Sequence, residues 1–478
     1  MHLDTRVLTL TWPEMLSDTT LHLEREARRL RYQAIGDACR KADINTLLVG
    51  HHADDQAETV LVRLTNNYLG SGLSGIKAHK PVPECHGMYG VHESGNPQAL
   101  STPAERTAGP QRVRSTSNKH HSNTHASERI LIEGGGLSIS RPLLPYSKDE
   151  LVSYCMNMGV RWHEDNTNAD PQFALRNTVR YLLNKHLLPV ALRAPRLLEV
   201  AAGVATGDSR NEAKANQEFA TLDLLLDVRC GTLVVENPSF MQAFPSNDGS
   251  DLIVGSLVIR KLLTLVAPTE VIQMPDAYGA AAKLVGQRQS AIQIAGIAIC
   301  ERQDARGVRI WVMQRKVPSA QELITQSKRL TAYEDLPQAV ALKTTRWLLW
   351  DSRYWVCVYH RDPNVEVTIR FLTAQDLALL RTTHTPSVLQ RLEQVLRLVP
   401  GKQRFTLPVL AARRRSDGVE QAVIVALPTL GWSIDGWRKW PASSSVARDS
   451  EQVGYWDIRY KKVDLESSRK HTILDSGA

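Results

Sequence analysis

The stretch LLVGHHADDQAETVLVRL, residues 47–64, decides how this chain is read. Residues 46–50, TLLVG, are a short apolar run closed by glycine, the pattern of a strand buried in a parallel sheet. Residues 54–66 then return to helical periodicity. At the junction stand His51, His52, Asp54, Asp55, Gln56 and Glu58. Open parallel sheets bind ligands at the carboxyl ends of their strands, and the amides of the following helix favour anions. Carboxylates placed there suit Mg2+ held against phosphate oxygens. A histidine beside them can hydrogen-bond phosphate or move a proton. The same spacing also fits a capped helix, with Asp54 or Asp55 as the cap and Glu58 completing a capping box. That simpler account leaves the paired histidines, Gln56 and Thr59 unexplained.

Working outward, RVLTLTW at 6–12 predicts a strand and residues 21–42 an amphipathic helix. Strand, helix, strand, helix is the alternation of an α/β fold with a parallel sheet. Residues 79–128, rich in Ser, Thr, Pro, Asn and His, have little to bury and are expected as a disordered surface insertion. The pattern resumes at RILIEGGGLSISRPLL, 129–144, where Gly134-Gly135-Gly136 predicts a hairpin turn. A phosphate loop should lead into a helix; here LSIS continues as strand. Ser147 with Glu150 opens a capped helix over 147–160. Residues 172–265 are mostly helical in pattern. From about 290 onward β-type runs recur: SAIQIAGIAI, VRIWVMQRK, RYWVCVYH, VEVTIRFL and QAVIVALP, with a helix at 374–398.

At 478 residues the chain exceeds one core. Its net charge of +8 suits a polyanionic partner such as RNA without requiring one. The six cysteines form no CxxC pair, which argues against a zinc ribbon or disulfide framework and for reduced thiols. No apolar run approaches the roughly 20 residues needed to span a bilayer. Trp350, Trp355 and Trp432 are read as core or interface aromatics, with base stacking as the alternative. Arg413, Arg414 and Arg415 are a solvated loop or an RNA-backbone contact.

Four strings together resemble the tRNA(Ile)-lysidine synthetase family of PP-loop ATP pyrophosphatases. GHHADDQAET is similar to that family's second signature. Glu24, Ala27-Arg28 and Arg31-Tyr32 resemble the helix before it, and Ile139 to Leu144 the strand that closes the core. WHEDNTNADPQFALRNTVRYLLNKHLLP, 162–189, resembles the tail motif through Asp165, Asn168, Asp170, Arg176-Asn177, Arg180 and Pro189. WDSRYW, KQRFTLPVL and ALPTLGW resemble C-terminal segments of bacterial members.

The resemblance implies a Rossmann-like sheet of the adenine nucleotide alpha hydrolase type. The PP-loop ligase domain would occupy 1–78 and 129–190. A helical region at 191–285 and an α+β domain at 286–478, a candidate tRNA-binding domain, would follow. It implies ATP and Mg2+ as cofactors and tRNA(Ile) and free lysine as partners. His51, His52, Asp54, Asp55 and Glu58 would be catalytic, with Asp54 and Asp55 as the Mg2+ candidates. Arg28, Arg176, Asn177 and Arg180 would bind nucleotide or tRNA. The family's SGGxDS loop has no counterpart string here, so the sheet is expected to be incomplete at its N-terminus and activity of this chain alone impaired. The expected source is a fungus and the expected location the mitochondrion, otherwise the cytoplasm. Rival readings are a thiolating PP-loop enzyme, which would use paired cysteines, and a non-catalytic tRNA-binding scaffold.

Overall fold

A computed structural model describes residues 4–12, 20–98, 130–164, 175–186, 188–236, 249–286, 291–330, 343–362, 364–414, 422–440, 453–465, 468 and 470–474. The chain divides into two compact units. One comprises residues 1–85 and 136–214, the other 86–135 and 215–478.

The first unit is α/β. Helix α1 (Thr20–Lys41) leads to strand β1 (Thr46–Leu48), helix α2 (Ala53–Thr65), strand β2 (His79–Pro81), strand β3 (Ser138–Ser140) and helix α3 (Lys148–Asn157). Helices α4 (Leu175–Lys185) and α5 (Ala194–Ala220) follow. The strand order is β1-β3-β2. β1 and β3 run parallel with Leu47 opposite Ile139, and β2 is antiparallel to β3 with Lys80 opposite Ile139. The expected parallel sheet is therefore a parallel pair with one antiparallel edge. Ile139, the central residue, is fully buried. Ala57, Val60 and Leu61 lie on one face of α2 and pack with Val179 of α4 and with Leu197 and Ala201 of α5.

Several expectations need correction. Residues 6–12 form no strand: Val7 is 96% exposed and the segment lacks a paired neighbour among the described residues. β-branched content alone cannot hold an extended segment without a partner. The insertion begins later than residue 79, since β2 lies there and Val82, Cys85, Val91 and Ser94 are buried. Composition averaged over the polar tract hid these few anchoring residues; residues 99–128 lie outside those described. Gly134-Gly135-Gly136 is not a hairpin turn. Strand Leu131–Ile132 pairs with Gly454–Tyr460, whereas β3 belongs to the other sheet. Gly135 and Gly136, at φ +76° and +94°, carry the chain from one unit to the other.

Among the described residues the second unit contains one five-stranded and two six-stranded sheets. Residues 191–285 are not a separate helical domain. They include the antiparallel strands Asp223–Asp227 and Thr232–Glu236, which join strands Arg309–Arg315 and Ile297–Gln303 in one sheet. The turn between them places Gly231 at φ +65°, where a Cβ would meet Arg353 Nη1 at 2.5 Å. Leu224, Leu226, Leu233 and Val235 enter the same core as Ile297, Met313, Trp350 and Tyr354. Trp350, Trp355 and Trp432 are all buried, as the core reading expects. Arg413 pairs with Glu366 and Arg414 with Asp362; Arg415 lies outside the described residues.

Candidate active site

The site forms where β1 gives way to α2. Val49 N–H donates to Ser140 O at 3.0 Å, so the chain leaves β1 alongside the end of β3. His52, in extended conformation, is the N-cap of α2, and Asp55 turns back to accept from His52 N–H at 3.0 Å. Asp55 thus does the work that the capping account assigned to Glu58. Asp54 accepts from the Lys148 amide at 2.7 Å and so satisfies an otherwise unpaired donor at the start of α3. α3 is itself capped by Ser147, which accepts from Glu150 N–H at 3.2 Å.

Glu58 and Asp55 face α4. Arg176 Nε donates to Glu58 Oε2 at 2.9 Å and its Nη2 to Asp55 Oδ1 at 2.8 Å. Arg180 Nε donates to Glu58 Oε1 at 2.6 Å and Nη2 to Oε2 at 3.0 Å. The Glu58 side chain is 2% exposed, against 12% for Asp55 and 43% for Asp54. A carboxylate so buried is tolerable because both of its oxygens receive charge-assisted bonds. Arg176 and Arg180, one helical turn apart, present both guanidinium groups to the same carboxylate. Asn177 is buried beside them. Asp165, Asn168 and Asp170 lie outside the described residues.

The two histidines differ. His52 Nδ1 lies 3.3 Å from Asp54 Oδ2, and this close approach raises the imidazole's pKa while His52 lowers that of Asp54. Burial pushes His51 the other way, helped by the positive fields of Arg141, Arg176 and Arg28 and opposed by Asp55. His51 Nδ1 is buried without a hydrogen-bond partner. A neutral imidazole with an unused nitrogen is a competent proton acceptor.

Gln56 has a positioning role that spacing alone did not disclose. Its Nε2 donates to Ile76 O at 3.0 Å and its Oε1 accepts from Ile76 N–H. Arg63 holds the same loop through Gly72 O at 2.8 Å and Gly75 O at 3.0 Å. Arg28 lies over the Tyr32 ring, 4.8 Å from its centroid, and 3.5 Å from Glu84. Lys80 was hidden in the tract read as an insertion; a lone lysine in a short strand carries no spacing signal.

As a Mg2+ site the two candidates are unequal. Asp54 meets Lys148 and His52 through Oδ2 and is 43% exposed, which suits an oxygen-loving cation sharing water and phosphate ligands. Asp55 is spent on Arg176 and the His52 amide, so it fits poorly. Among the described residues no group of three or more His, Cys, Asp or Glu side chains is arranged to hold a metal.

A family model described as a PP-loop domain matches residues 6–88 and 123–187. A fission yeast protein, Schizosaccharomyces pombe "Probable tRNA(Ile)-lysidine synthase", is 24% identical over 443 residues, covering 89% of this chain and 78% of the relative. The tRNA(Ile)-lysidine synthase of Chlorobaculum tepidum is 27% identical across 37% of this chain and 34% of its own length. That of Pseudomonas fluorescens is 32% identical across 33% of this chain and 24% of its own length. The chain thus spans most of the yeast relative but well under two thirds of these bacterial ones.

Proposed function

We propose that this chain, which carries a PP-loop domain and is homologous to the tRNA(Ile)-lysidine synthases, is an ATP-dependent ligase that joins lysine to the wobble cytidine of a tRNA(Ile). The observation that carries this reading is the meeting of the His51–Glu58 segment with Arg176 and Arg180 at the end of a parallel strand pair.

The chemistry would run in two steps. The cytidine C2 oxygen attacks the α-phosphorus of ATP and pyrophosphate leaves. The lysine ε-amine then attacks C2, the C2–O bond breaks, AMP departs with that oxygen, and the amine gives up a proton. His51, kept neutral by burial, is suited to take that proton. His52, paired with Asp54, is suited to meet phosphate as a cation. Glu58 and Asp55 act by fixing Arg176 and Arg180. Mg2+, when bound, would neutralise phosphate charge, with Asp54 the better placed ligand. The reading keeps the mitochondrial location, to be tested by imaging the tagged protein.

The test is AMP release from ATP with tRNA(Ile) bearing a wobble cytidine, with and without lysine. AMP formed only when both lysine and that tRNA are present is the expected result. AMP release indifferent to lysine would overturn the ligase. Tight tRNA binding with no AMP release would favour the non-catalytic scaffold.

A further inference from the structure

Beside the acidic helix the sheet carries cations that the ion pairs above do not use. Lys80 stands opposite Ile139, which stands opposite Leu47, so the three side chains share one face of the sheet. Arg141 follows directly after β3. Its backbone N–H donates to Ala78 O at 2.9 Å and its Nη1 to Lys77 O at 2.7 Å, which fixes it beside the start of β2. Arg141 is 4% exposed, and its buried Nε has no hydrogen-bond partner. Arg28 completes the group from α1. Segment 84–85 ties α1 to β2, with Gln33 donating to Glu84 O at 3.0 Å and the Cys85 thiol to Tyr32 O at 3.4 Å.

The electrostatics of this group are unfavourable as they stand. Burial holds the Lys80 ammonium below its ordinary range, and the charges of Arg141, Arg28 and Arg63 add to that effect, with Glu84 opposing. Glu84 itself pairs with Arg28. Arg63 is occupied by the Gly72 and Gly75 carbonyls. Gathering partly buried cations with so little counter-charge costs free energy that a bound anion would recover.

We propose that Lys80, Arg141 and Arg28 form a phosphate-binding cluster beside His51, with Lys80 as its movable arm. The rigid guanidinium of Arg141 supplies a fixed donor, and the lysine a mobile point charge. The phosphate belongs either to the nucleotide or to the RNA backbone. Naming these two sources rests on the ligase reading; the cluster itself does not.

The test uses the whole chain and the variants Lys80→Gln and Lys80→Arg, both on an edge strand where the side chain is half exposed. Inorganic pyrophosphate, ATP and tRNA(Ile) transcript are titrated in turn, the last over a salt series. Lys80→Gln is expected to weaken pyrophosphate binding about tenfold, with Lys80→Arg within about threefold of the parent. A parallel loss for ATP assigns the phosphate to the nucleotide. A tRNA salt slope reduced by about one assigns it to the RNA backbone. Unchanged affinity of Lys80→Gln for all three probes overturns the proposal, as does a parent chain that binds none of them. No lysine is present, so Lys80-dependent pyrophosphate binding in a chain without lysine-dependent AMP release would sink the ligase reading and leave this cluster standing.

Discussion

Arg180 reaches Glu58 across 122 residues of sequence, its Nε donating to Oε1 at 2.6 Å, and so ties the tail motif to the start of α2. With Arg176 on the other oxygen at 2.9 Å, Glu58 is the hub of the candidate site. Glu58→Ala takes from Arg176 and Arg180, whose side chains are 39% and 26% exposed, the carboxylate they share, and leaves Asp55 to face both. Loss of charge-assisted hydrogen bonds from groups that still reach water costs about 1–3 kcal/mol. Urea unfolding followed by circular dichroism is expected to show this loss, with Glu58→Gln less affected because its amide oxygen still accepts a hydrogen bond. A Glu58→Ala midpoint equal to the parent's would remove the carboxylate from its role as anchor.

His52 and Asp54 predict a pH window. The nearby Asp54 carboxylate raises His52, so its stabilisation is complete below the ordinary histidine value of about 6.5 and disappears as pH rises through the elevated one. Asp54 is lowered by the same pairing, so its share is complete above the ordinary carboxylate value of about 3.9 and fades as pH falls through the depressed one. Thermal melts of His52→Gln against the parent should differ most near pH 6 and converge as pH rises above the raised histidine value. A constant difference across that range would mean that the imidazole contributes by shape alone.

Gly75 sits at φ +72°, where an added Cβ would lie 2.4 Å from Gln56 Oε1. Gly75→Ala must strain the backbone and push Gln56 off Ile76, at a cost of about 1–3 kcal/mol. Gln56→Ala gives room for the new methyl group. The double variant is therefore expected to be more stable than the sum of the two single losses, a non-additivity that a thermodynamic cycle measures. Strict additivity would show that the loop does not press on Gln56.

How much of this was legible in the sequence follows from how local each signal was. The helix at Lys148–Asn157 could be read because Ser147 and Glu150 reciprocate within a single turn. The β runs at Arg309–Arg315, Tyr354–His360 and Val365–Phe371 were legible from apolar and β-branched content. In the candidate site, the residue types between His51 and Glu58 were visible, but their division of labour was not. The carboxylate that caps α2 is set within one turn, by Asp55 and the His52 amide, but which one holds α3 and which one anchors the arginines depends on partners more than 90 residues away in the chain. The same limit explains RVLTLTW, since a strand is made by its neighbour as much as by its own residues. Lys80 went unseen because four structurally committed residues around it, among them Val82 and Cys85, were diluted by a long polar tract.

The excursion between Cys85 and Gly136 bears on how the polypeptide is born. The first unit is assembled from two separated lengths of chain, while the intervening length joins the sheets of the other. A nascent chain that has emerged only as far as Ile132 holds Asp55 and Glu58 but neither guanidinium that will neutralise them, and β1 has yet to receive β3. Strand Leu131–Ile132 must in turn wait for residues 454–460, more than 300 residues later in the chain. The first unit has all of its residues once Lys214 has emerged, whereas the strand that interrupts it in sequence stays unpaired until the second unit is made, so the two mature in turn.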